Sequence, residues 1–158
     1  MALLTIGDLA PDFTARGADG KSLTLADLDG KFVLIYFYPK DMTPGCTAEA
    51  CSINDLLQDF SESGATVIGV SSQDDDSHER FRNRHQLRFA LASDPDRSIA
   101  TSYGVGKMLG GLLPLNARVS FLVGPDRRIV EVWPHVNPGR HAAQVLEAVR
   151  RHRNFSVA

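Results

Sequence analysis

The segment Phe32–Tyr38 constrains the fold more than any other part of the sequence. It reads FVLIYFY, a continuous apolar and aromatic run without polar alternation, and Pro39 follows it directly. A run of this kind is typical of a β-strand that is buried on both faces of its sheet. Helices must then cover the two faces of that sheet. The segment therefore predicts a central strand in a layered α/β fold.

The residues after this strand predict a helix and then a second buried strand. Thr43 is suited to cap a helix and Pro44 to begin it, while Gly64 is placed to end it. Thr66–Ser71 then reads as another buried strand, and Asp74–Gln86 as a polar helix.

Short elements continue to alternate along the rest of the chain. They are a hairpin of Phe13–Arg16 and Ser22–Leu25, a strand at Phe89–Ala92, a helix at Pro95–Tyr103, a hairpin of Arg118–Val123 and Ile129–Trp133, and a closing helix at Pro138–Arg151. Gly104–Pro114 is rich in glycine, which favours a loop. We expect a single α/β domain over residues 1–158, with a central mixed β-sheet flanked by helices and an N-terminal β-hairpin.

Composition narrows the class of function. The 158 residues are 43% hydrophobic and 23% charged, as in an ordinary soluble domain. A formal net charge of −2 gives no electrostatic case for binding nucleic acid or an anionic membrane. The N-terminus lacks the basic segment of a signal peptide, and no apolar run approaches the length of a membrane span. We therefore expect a cytoplasmic protein.

The sequence contains no pattern that predicts a metal site or another cofactor. Two cysteines are too few for a structural zinc site or a disulfide scaffold. The run Asp74–Asp76 fits the acidic first turn of a helix better than a cation site. No pair of histidines falls at a metal-binding spacing with a third ligand near, and we expect solvated side chains for them. They are His78, His85, His135, His141 and His152.

The first cysteine occupies a position that suits a nucleophile. Cys46 is the third residue of the predicted helix, after Pro44 and Gly45. The unpaired N–H groups and the positive end of the helix dipole at such a position stabilise a thiolate over a thiol. Gly45 leaves the sulfur uncrowded. A buried structural thiol is the alternative, which the Thr-Pro-Gly context disfavours.

The second cysteine lies too far along the same helix to bond with the first. In an ideal helix the Cα atoms of Cys46 and Cys51 lie about 8–9 Å apart, whereas a disulfide needs them within about 7 Å. A bond between them would require the first turns to unwind. This order of events suits a peroxide, which oxidises a first thiolate to sulfenic acid before a second thiol condenses with it. Cys51 packed as a small helix residue remains the alternative.

A peroxide site would need a hydrogen-bond donor and a permanent cation near the sulfur. The Thr43 hydroxyl, one turn before Cys46, is a candidate donor, although it can equally serve as a plain helix cap. Arg118 is the candidate cation, since a guanidinium stays charged and makes two hydrogen bonds at once. An exposed charge at the start of a strand is the other interpretation of Arg118.

These residues carry a family resemblance. Pro39, Thr43 and Cys46 stand as P-x-x-x-T-x-x-C, and the chain resembles the peroxiredoxins in this motif. With Cys51 five residues after Cys46, the stretch YPKDMTPGCTAEAC is similar to the bacterioferritin comigratory protein or PrxQ branch. The likeness extends from APDF near the N-terminus through SYGV and RVSFLV to the final helix.

The resemblance implies a thioredoxin-like fold and a peroxidase for hydrogen peroxide and organic hydroperoxides, without metal or haem. It implies recycling by thioredoxin or a similar dithiol reductant, and a role in antioxidant defence. We expect the protein to be a monomer. By position the resemblance implies that Cys46 is the peroxidatic cysteine and that Cys51 is the resolving cysteine, which forms a disulfide with Cys46. It further implies that Thr43 and Arg118 activate the sulfur and that Pro39 shields it from solvent. It gives Glu49 a secondary role, which is to orient Arg118.

Two features depart from the family pattern, and two rival functions stay open. Ser120 stands where relatives usually have threonine after the arginine, and it keeps the hydroxyl. The loop at residues 106–116 is shorter and more apolar than in many relatives. It has three open interpretations: it forms a wall of the active site, it contacts a partner, or its apolar side chains pack within the protein. A thiol–disulfide oxidoreductase would be expected to carry Cys-x-x-Cys, which the sequence lacks. A redox sensor would share the sulfenic acid chemistry.

Overall fold

A computed structural model describes residues 2–157, with side chains through residue 154. The strands are β1 (Thr14–Arg16), β2 (Ser22–Thr24), β3 (Phe32–Phe37), β4 (Ala65–Ser71), β5 (Ala90–Ser93), β6 (Val119–Val123) and β7 (Ile129–Trp133). The α-helices are α1 (Pro44–Asp55), α2 (Leu57–Glu62), α3 (Asp75–His85), α4 (Ser98–Ser102) and α5 (His141–Val157). Short 3₁₀ turns occupy Leu25–Leu28 and Met108–Gly111.

The strands form one mixed sheet in the order β2-β1-β5-β4-β3-β6-β7. β3 pairs in parallel with β4, and β4 with β5, while the remaining pairs are antiparallel. The predicted central strand is confirmed, since every residue of β3 is buried. The predicted N-terminal hairpin is confirmed as β1 and β2.

The side chains of β3 alternate between two hydrophobic clusters. Leu34 and Tyr36 join the cluster beneath α1 and α5, to which Cys46 also belongs. Ile35 and Phe37 join the cluster on the opposite face, with Tyr103. A strand buried on both faces thus carries two separate cores, as its uninterrupted apolar sequence predicts.

The expected helix from Thr43 to Gly64 is two helices. At Leu56 the backbone N–H bonds to the Ile53 carbonyl, one residue closer than the α-helical pattern requires, so α1 ends and α2 begins. Gly64 follows α2 with a positive φ of 80°, which a glycine adopts without strain. The prediction that the helical segment ends at Gly64 is therefore confirmed, but the prediction of one continuous helix is wrong.

The prediction that all histidines are solvated was wrong for two of them. His78 is 2% exposed and His141 is fully buried, whereas His135 is exposed. The polar helix α3 buries one face, where hydroxyl groups surround the His78 ring. His141 packs edge-on against Trp133 with a centroid distance of 5.2 Å.

The glycine-rich segment is a loop with an exposed apolar tip. An isolated bridge joins Lys107 to Asn116 at its base. At the tip Leu109 is 65% exposed and Leu112 is 82% exposed. The interpretation of this loop as ordinary packing is therefore wrong for these two leucines. Within the described residues, no helix combines the length and the apolar character that crossing a bilayer would take.

The sheet makes a prediction at Gly69, which lies opposite Tyr36 across the β3–β4 pair. A Cβ at Gly69 would lie 2.8 Å from the Tyr36 Cζ atom and 2.9 Å from its hydroxyl oxygen. We expect Gly69→Ala to lower the free energy of unfolding by about 1–3 kcal/mol, the usual cost of overpacking a core. Urea denaturation measures this. The control is Gly106→Ala, where an added Cβ meets nothing within 4 Å; equal losses in both variants would contradict the steric explanation.

Candidate active site

The sulfur of Cys46 lies in the first turn of α1. Thr43 is the N-cap and Pro44 the first helical residue, as predicted. The first intrahelical bond runs from the Thr47 N–H to the Thr43 carbonyl at 2.9 Å, so the N–H groups of Gly45 and Cys46 precede the hydrogen-bonded ladder. Cys46 is only 1% exposed and its thiol is free.

Arg118 connects two of the other predicted residues. Its Nη2 donates to the Cys46 sulfur at 3.3 Å, and its Nη1 donates to Glu49 Oε2 at 3.2 Å. Arg118 directly precedes β6, whose first residue Val119 is paired with Phe37 at the end of β3. The pairing of β3 with β6 therefore delivers the guanidinium to the edge of the sheet where α1 begins.

Gly45 provides the space that the guanidinium occupies. A Cβ at this position would lie 2.6 Å from Arg118 Nη2 and 3.9 Å from the Pro138 ring. Real Cβ atoms essentially never lie this close to another heavy atom, so a side chain here would displace the guanidinium. The absence of a side chain at Gly45 was expected to leave the sulfur uncrowded, and in the structure that room holds the cation.

Glu49 is a buried carboxyl that is paired with Arg118. It is 1% exposed, and burial raises its pKa to about 7, with the Arg118 guanidinium acting in the opposite direction. Near neutral pH, Glu49 therefore exchanges between a neutral acid and a carboxylate paired with Arg118. The predicted contact between Glu49 and Arg118 is present.

Thr43 is half-buried, and its hydroxyl makes a bond that the sequence did not predict. The side chain does not cap the helix; its Oγ1 donates to the Lys40 carbonyl at 2.8 Å. The hydroxyl proton is thereby committed within the loop, and the oxygen is left as an acceptor. The hydrogen bond to Lys40 therefore favours a Thr43 hydroxyl that accepts a hydrogen bond from substrate, rather than the expected donor.

The loop between β3 and α1 carries the remaining predicted residue. Pro39 is buried just after β3, where the Tyr38 N–H still bonds to the Val70 carbonyl. Met42 has a left-handed backbone with φ of 67°, a conformation that costs a non-glycine residue about 1–2 kcal/mol. Other contacts must hold this loop in place.

Cys51 shares the helix with Cys46 and is half-buried. Both thiols are free, and α1 is continuous across the two positions. Burial raises the pKa of the Cys51 thiol, and the nearby Asp55 adds to the effect. While the helix is intact, the Cys51 thiol therefore keeps its proton to a higher pH than a free thiol.

Sequence reasoning missed Asp41, which lies between Pro39 and Thr43. It is 3% exposed and accepts a 2.6 Å hydrogen bond from the Tyr38 hydroxyl. The presence of a carboxylate between Pro39 and Thr43 could have indicated a role for Asp41. Its position in a predicted loop instead suggested an exposed side chain.

The comparison with protein families decides where the chain belongs. Residues 6–132 match the family model described as the AhpC/TSA family. The chain belongs to the AhpC/TSA family. The peroxiredoxin resemblance stated from the motif is therefore confirmed at family level.

Individual AhpC/TSA relatives cover nearly the whole chain. Peroxiredoxin Bcp of Bacillus subtilis is 36% identical over 150 residues, which are 93% of this chain and 96% of the relative. Peroxiredoxin Bcp of Escherichia coli is 35% identical over 156 residues, which are 94% and 97% of the two chains. Both similarities fall in the branch that the cysteine spacing indicated.

Solved structures of the family give the same answer for the fold. A mutant of Xylella fastidiosa PrxQ has a TM-score of 0.88 at 32% identity and covers 96% of this chain and 99% of its own. AhpC of Mycobacterium tuberculosis has a TM-score of 0.82 at 27% identity, covering 99% and 97%. The thioredoxin-like fold expected from the resemblance is confirmed.

The space at Gly45 makes a prediction about the cation. We expect Gly45→Ala to push the guanidinium away from the sulfur, and loss of that charge to slow alkylation of Cys46 by iodoacetamide at neutral pH by about 10-fold. Mass spectrometry of the alkylated protein measures the rate. The matched control is Gly139→Ala, whose Cβ would make an ordinary contact of 3.6 Å with Asn137. An unchanged rate in Gly45→Ala would show that the guanidinium does not act on the sulfur.

The raised pKa of Glu49 predicts a pH-dependent stability. Because the folded protein favours the neutral acid, the stabilisation is present below the ordinary pKa of 4.5 and is lost as the pH rises through about 7. Relative to Glu49→Gln, the wild-type free energy of unfolding should fall by about 3 kcal/mol between pH 4.5 and pH 8. Urea denaturation across this range measures the difference, with the exposed Glu147→Gln as control. A difference independent of pH would refute the prediction.

Proposed function

We propose that this AhpC/TSA protein is a thiol-dependent peroxidase that reduces hydrogen peroxide and organic hydroperoxides. The observation that carries the proposal is the 3.3 Å contact between Arg118 Nη2 and the Cys46 sulfur at the start of α1. A guanidinium and a helix N-terminus acting on one sulfur both stabilise the thiolate, which is the reactive form.

In the first step, the Cys46 thiolate attacks the terminal oxygen of the peroxide. The O–O bond breaks, the terminal oxygen bonds to sulfur with its hydrogen as Cys–SOH, and the other oxygen leaves with the electron pair and takes up a proton to become water or an alcohol. Negative charge moves from sulfur to the departing oxygen. Arg118, placed beside the sulfur, stabilises that charge throughout the transfer.

Three neighbouring residues are proposed to orient the peroxide and the cation. The Thr43 oxygen, whose proton is bonded to the Lys40 carbonyl, accepts a hydrogen bond from the peroxide O–H. Glu49 holds one nitrogen of Arg118 and so directs the other toward Cys46. Pro39 shields the sulfur from water on the side of the loop.

In the second step, Cys51 resolves the sulfenic acid. The Cys51 thiol attacks the Cys46 sulfur, a disulfide forms, and the sulfenic oxygen leaves as water with the thiol proton. The first turns of α1 must unwind to bring the sulfurs together. Unwinding also exposes Cys51 to water, which removes the burial that raises its pKa and makes it a better nucleophile.

The cycle closes when an external dithiol reduces the Cys46–Cys51 disulfide. Thioredoxin or a similar dithiol protein fits this step, because exchange with a dithiol regenerates both thiols. We propose that the protein carries out this cycle as a cytoplasmic monomer in defence against peroxides.

Substitution of each cysteine tests the two steps separately. We expect Cys46→Ser to abolish peroxide consumption, because the nucleophile is lost. Cys51→Ser should form the sulfenic acid at the wild-type rate but accumulate it, since no intramolecular disulfide can form. Mass spectrometry after one equivalent of hydrogen peroxide identifies the oxidised sulfur, and a coupled thioredoxin assay measures recycling.

The same experiment separates the rival functions. Full peroxidase activity in Cys46→Ser would overturn the proposal. A wild-type protein that reduces insulin disulfides but not peroxide would be a thiol–disulfide oxidoreductase. A protein that is oxidised by peroxide but does not turn over with any dithiol would be a sensor.

A further inference from the structure

A buried polar cluster lies behind the loop that joins β3 to α1, apart from the contacts among Cys46, Glu49 and Arg118. We call it the Asp41 cluster, and its members are Tyr38, Asp41, Ser71, Ser77, His78 and Ser93. Asp41 is 3% exposed, His78 is 2% exposed and Ser71 is fully buried. Charged groups are rarely buried to this degree unless they are paired, so the partners of Asp41 decide its role.

The Asp41 carboxylate ties the loop to two separate elements. Its Oδ1 accepts from the Tyr38 hydroxyl at 2.6 Å, and Tyr38 directly follows β3. Its Oδ2 accepts from the Ser77 hydroxyl at 2.8 Å and lies 3.6 Å from His78 Nε2, and both residues belong to the first turns of α3. One side chain thus fixes the loop against the sheet and against α3.

The hydrogen bonds around His78 are complete with a neutral ring. The Ser93 hydroxyl donates to Asp75 at 2.7 Å, so its oxygen accepts from His78 Nδ1 at 3.2 Å. The Ser71 oxygen accepts from the Gln73 N–H at 3.2 Å and lies 2.7 Å from His78 Nε2. Nδ1 therefore carries a proton, and in a neutral ring Nε2 accepts from the Ser71 hydroxyl.

The charges around His78 agree with a neutral imidazole. Burial lowers its pKa, and Arg82 on the same helix acts in the same direction, against Asp41, Asp75 and Asp74. With a neutral His78, the Asp41 charge is balanced by two hydroxyl donors rather than by a cation. Hydrogen bonds are directional, so the two hydroxyl donors fix the position of the Asp41 carboxylate.

The cluster acts on the residues that begin α1. Asp41 stands two residues before Thr43, and the strained Met42 lies between them. On the same short stretch the Thr43 hydroxyl bonds to Lys40. Arg118 bonds to Cys46 within the first turn of α1, while Asp41 bonds to Tyr38 and Ser77 from the loop that leads into that turn.

We propose that Asp41 is a positioning residue, which, through Tyr38 and Ser77, sets the place of Thr43 and Cys46 relative to Arg118 for the reaction with peroxide. The proposal rests on the proposed peroxidase function. It requires that Asp41 affect reaction with peroxide more than the general reactivity of the thiol. Peroxide needs the correct placement of sulfur, cation and Thr43 oxygen together, whereas a simple alkylating agent needs only an accessible thiolate.

The test compares Asp41→Asn with Asp76→Asn at a temperature well below the melting temperature of each variant. Asparagine keeps the shape of Asp41 but presents an amide donor to one of the two hydroxyl groups. Asp76 lies on the same helical turn as Ser77 and is exposed, so it provides the same loss of charge outside the cluster. Sulfenic acid formation and alkylation by iodoacetamide at Cys46 are both followed by mass spectrometry.

We expect Asp41→Asn to lower the rate constant with hydrogen peroxide by about 10-fold, and the alkylation rate by less than about threefold. Asp76→Asn should stay within about twofold of the wild type in both reactions. In case Asp41→Asn does not fold, Ser77→Ala removes a single hydroxyl donor and should lower the peroxide rate by about threefold. Ser77→Thr, which keeps the hydroxyl, should restore it.

Two results would overturn the proposal. A peroxide rate in Asp41→Asn or Ser77→Ala equal to that of the wild type would show that the cluster does not position the site. An equal fall in the peroxide and alkylation rates would assign the cluster a purely structural role. Both results presuppose a wild type that reacts with peroxide; a wild type that does not react would instead overturn the proposed function, and this inference with it.

Discussion

The arrangement of the site depends on one guanidinium that bridges a sulfur and a buried carboxyl. Arg118 reaches both Cys46 and Glu49 through different nitrogens, so its orientation is fixed at two points. A lysine could not replace it, because a single ammonium lacks the planar fork that spans two acceptors. Gly45 makes this arrangement possible, because the side chain of any larger residue would occupy the space of the guanidinium.

The fold explains how distant parts of the chain meet at this point. The central strand β3 ends where the loop to α1 begins, and its antiparallel neighbour β6 begins at the same edge of the sheet. Strand β4 pairs in parallel with β3, and α3 follows β4 in the chain and bonds to the loop through Ser77 and Asp41. Cys46 thus lies where a strand end, a helix start and an incoming strand converge, which is a typical place for a site in an α/β protein.

Most of the secondary structure could be predicted from local sequence patterns. The features that could not be predicted depend on contacts between residues far apart in the chain. The apolar run at Phe32–Tyr38 and the Thr-Pro start of α1 have strong local signals, and both elements formed as expected. The burial of His78 and the bond from Thr43 to Lys40 depend on neighbours that no local pattern encodes. The break at Leu56 likewise interrupts a helical periodicity that continues through it.

Trp133, the one tryptophan of the chain, packs against the hydrophobic cluster that includes Cys46. Its ring meets the edge of His141, and burial lowers the pKa of that imidazole to about 4. The imidazole therefore stays uncharged across the neutral range, and its protonation does not change beside the indole there. The single indole, beside an imidazole that stays neutral, is therefore an intrinsic optical reporter of packing in the cluster to which Cys46 belongs.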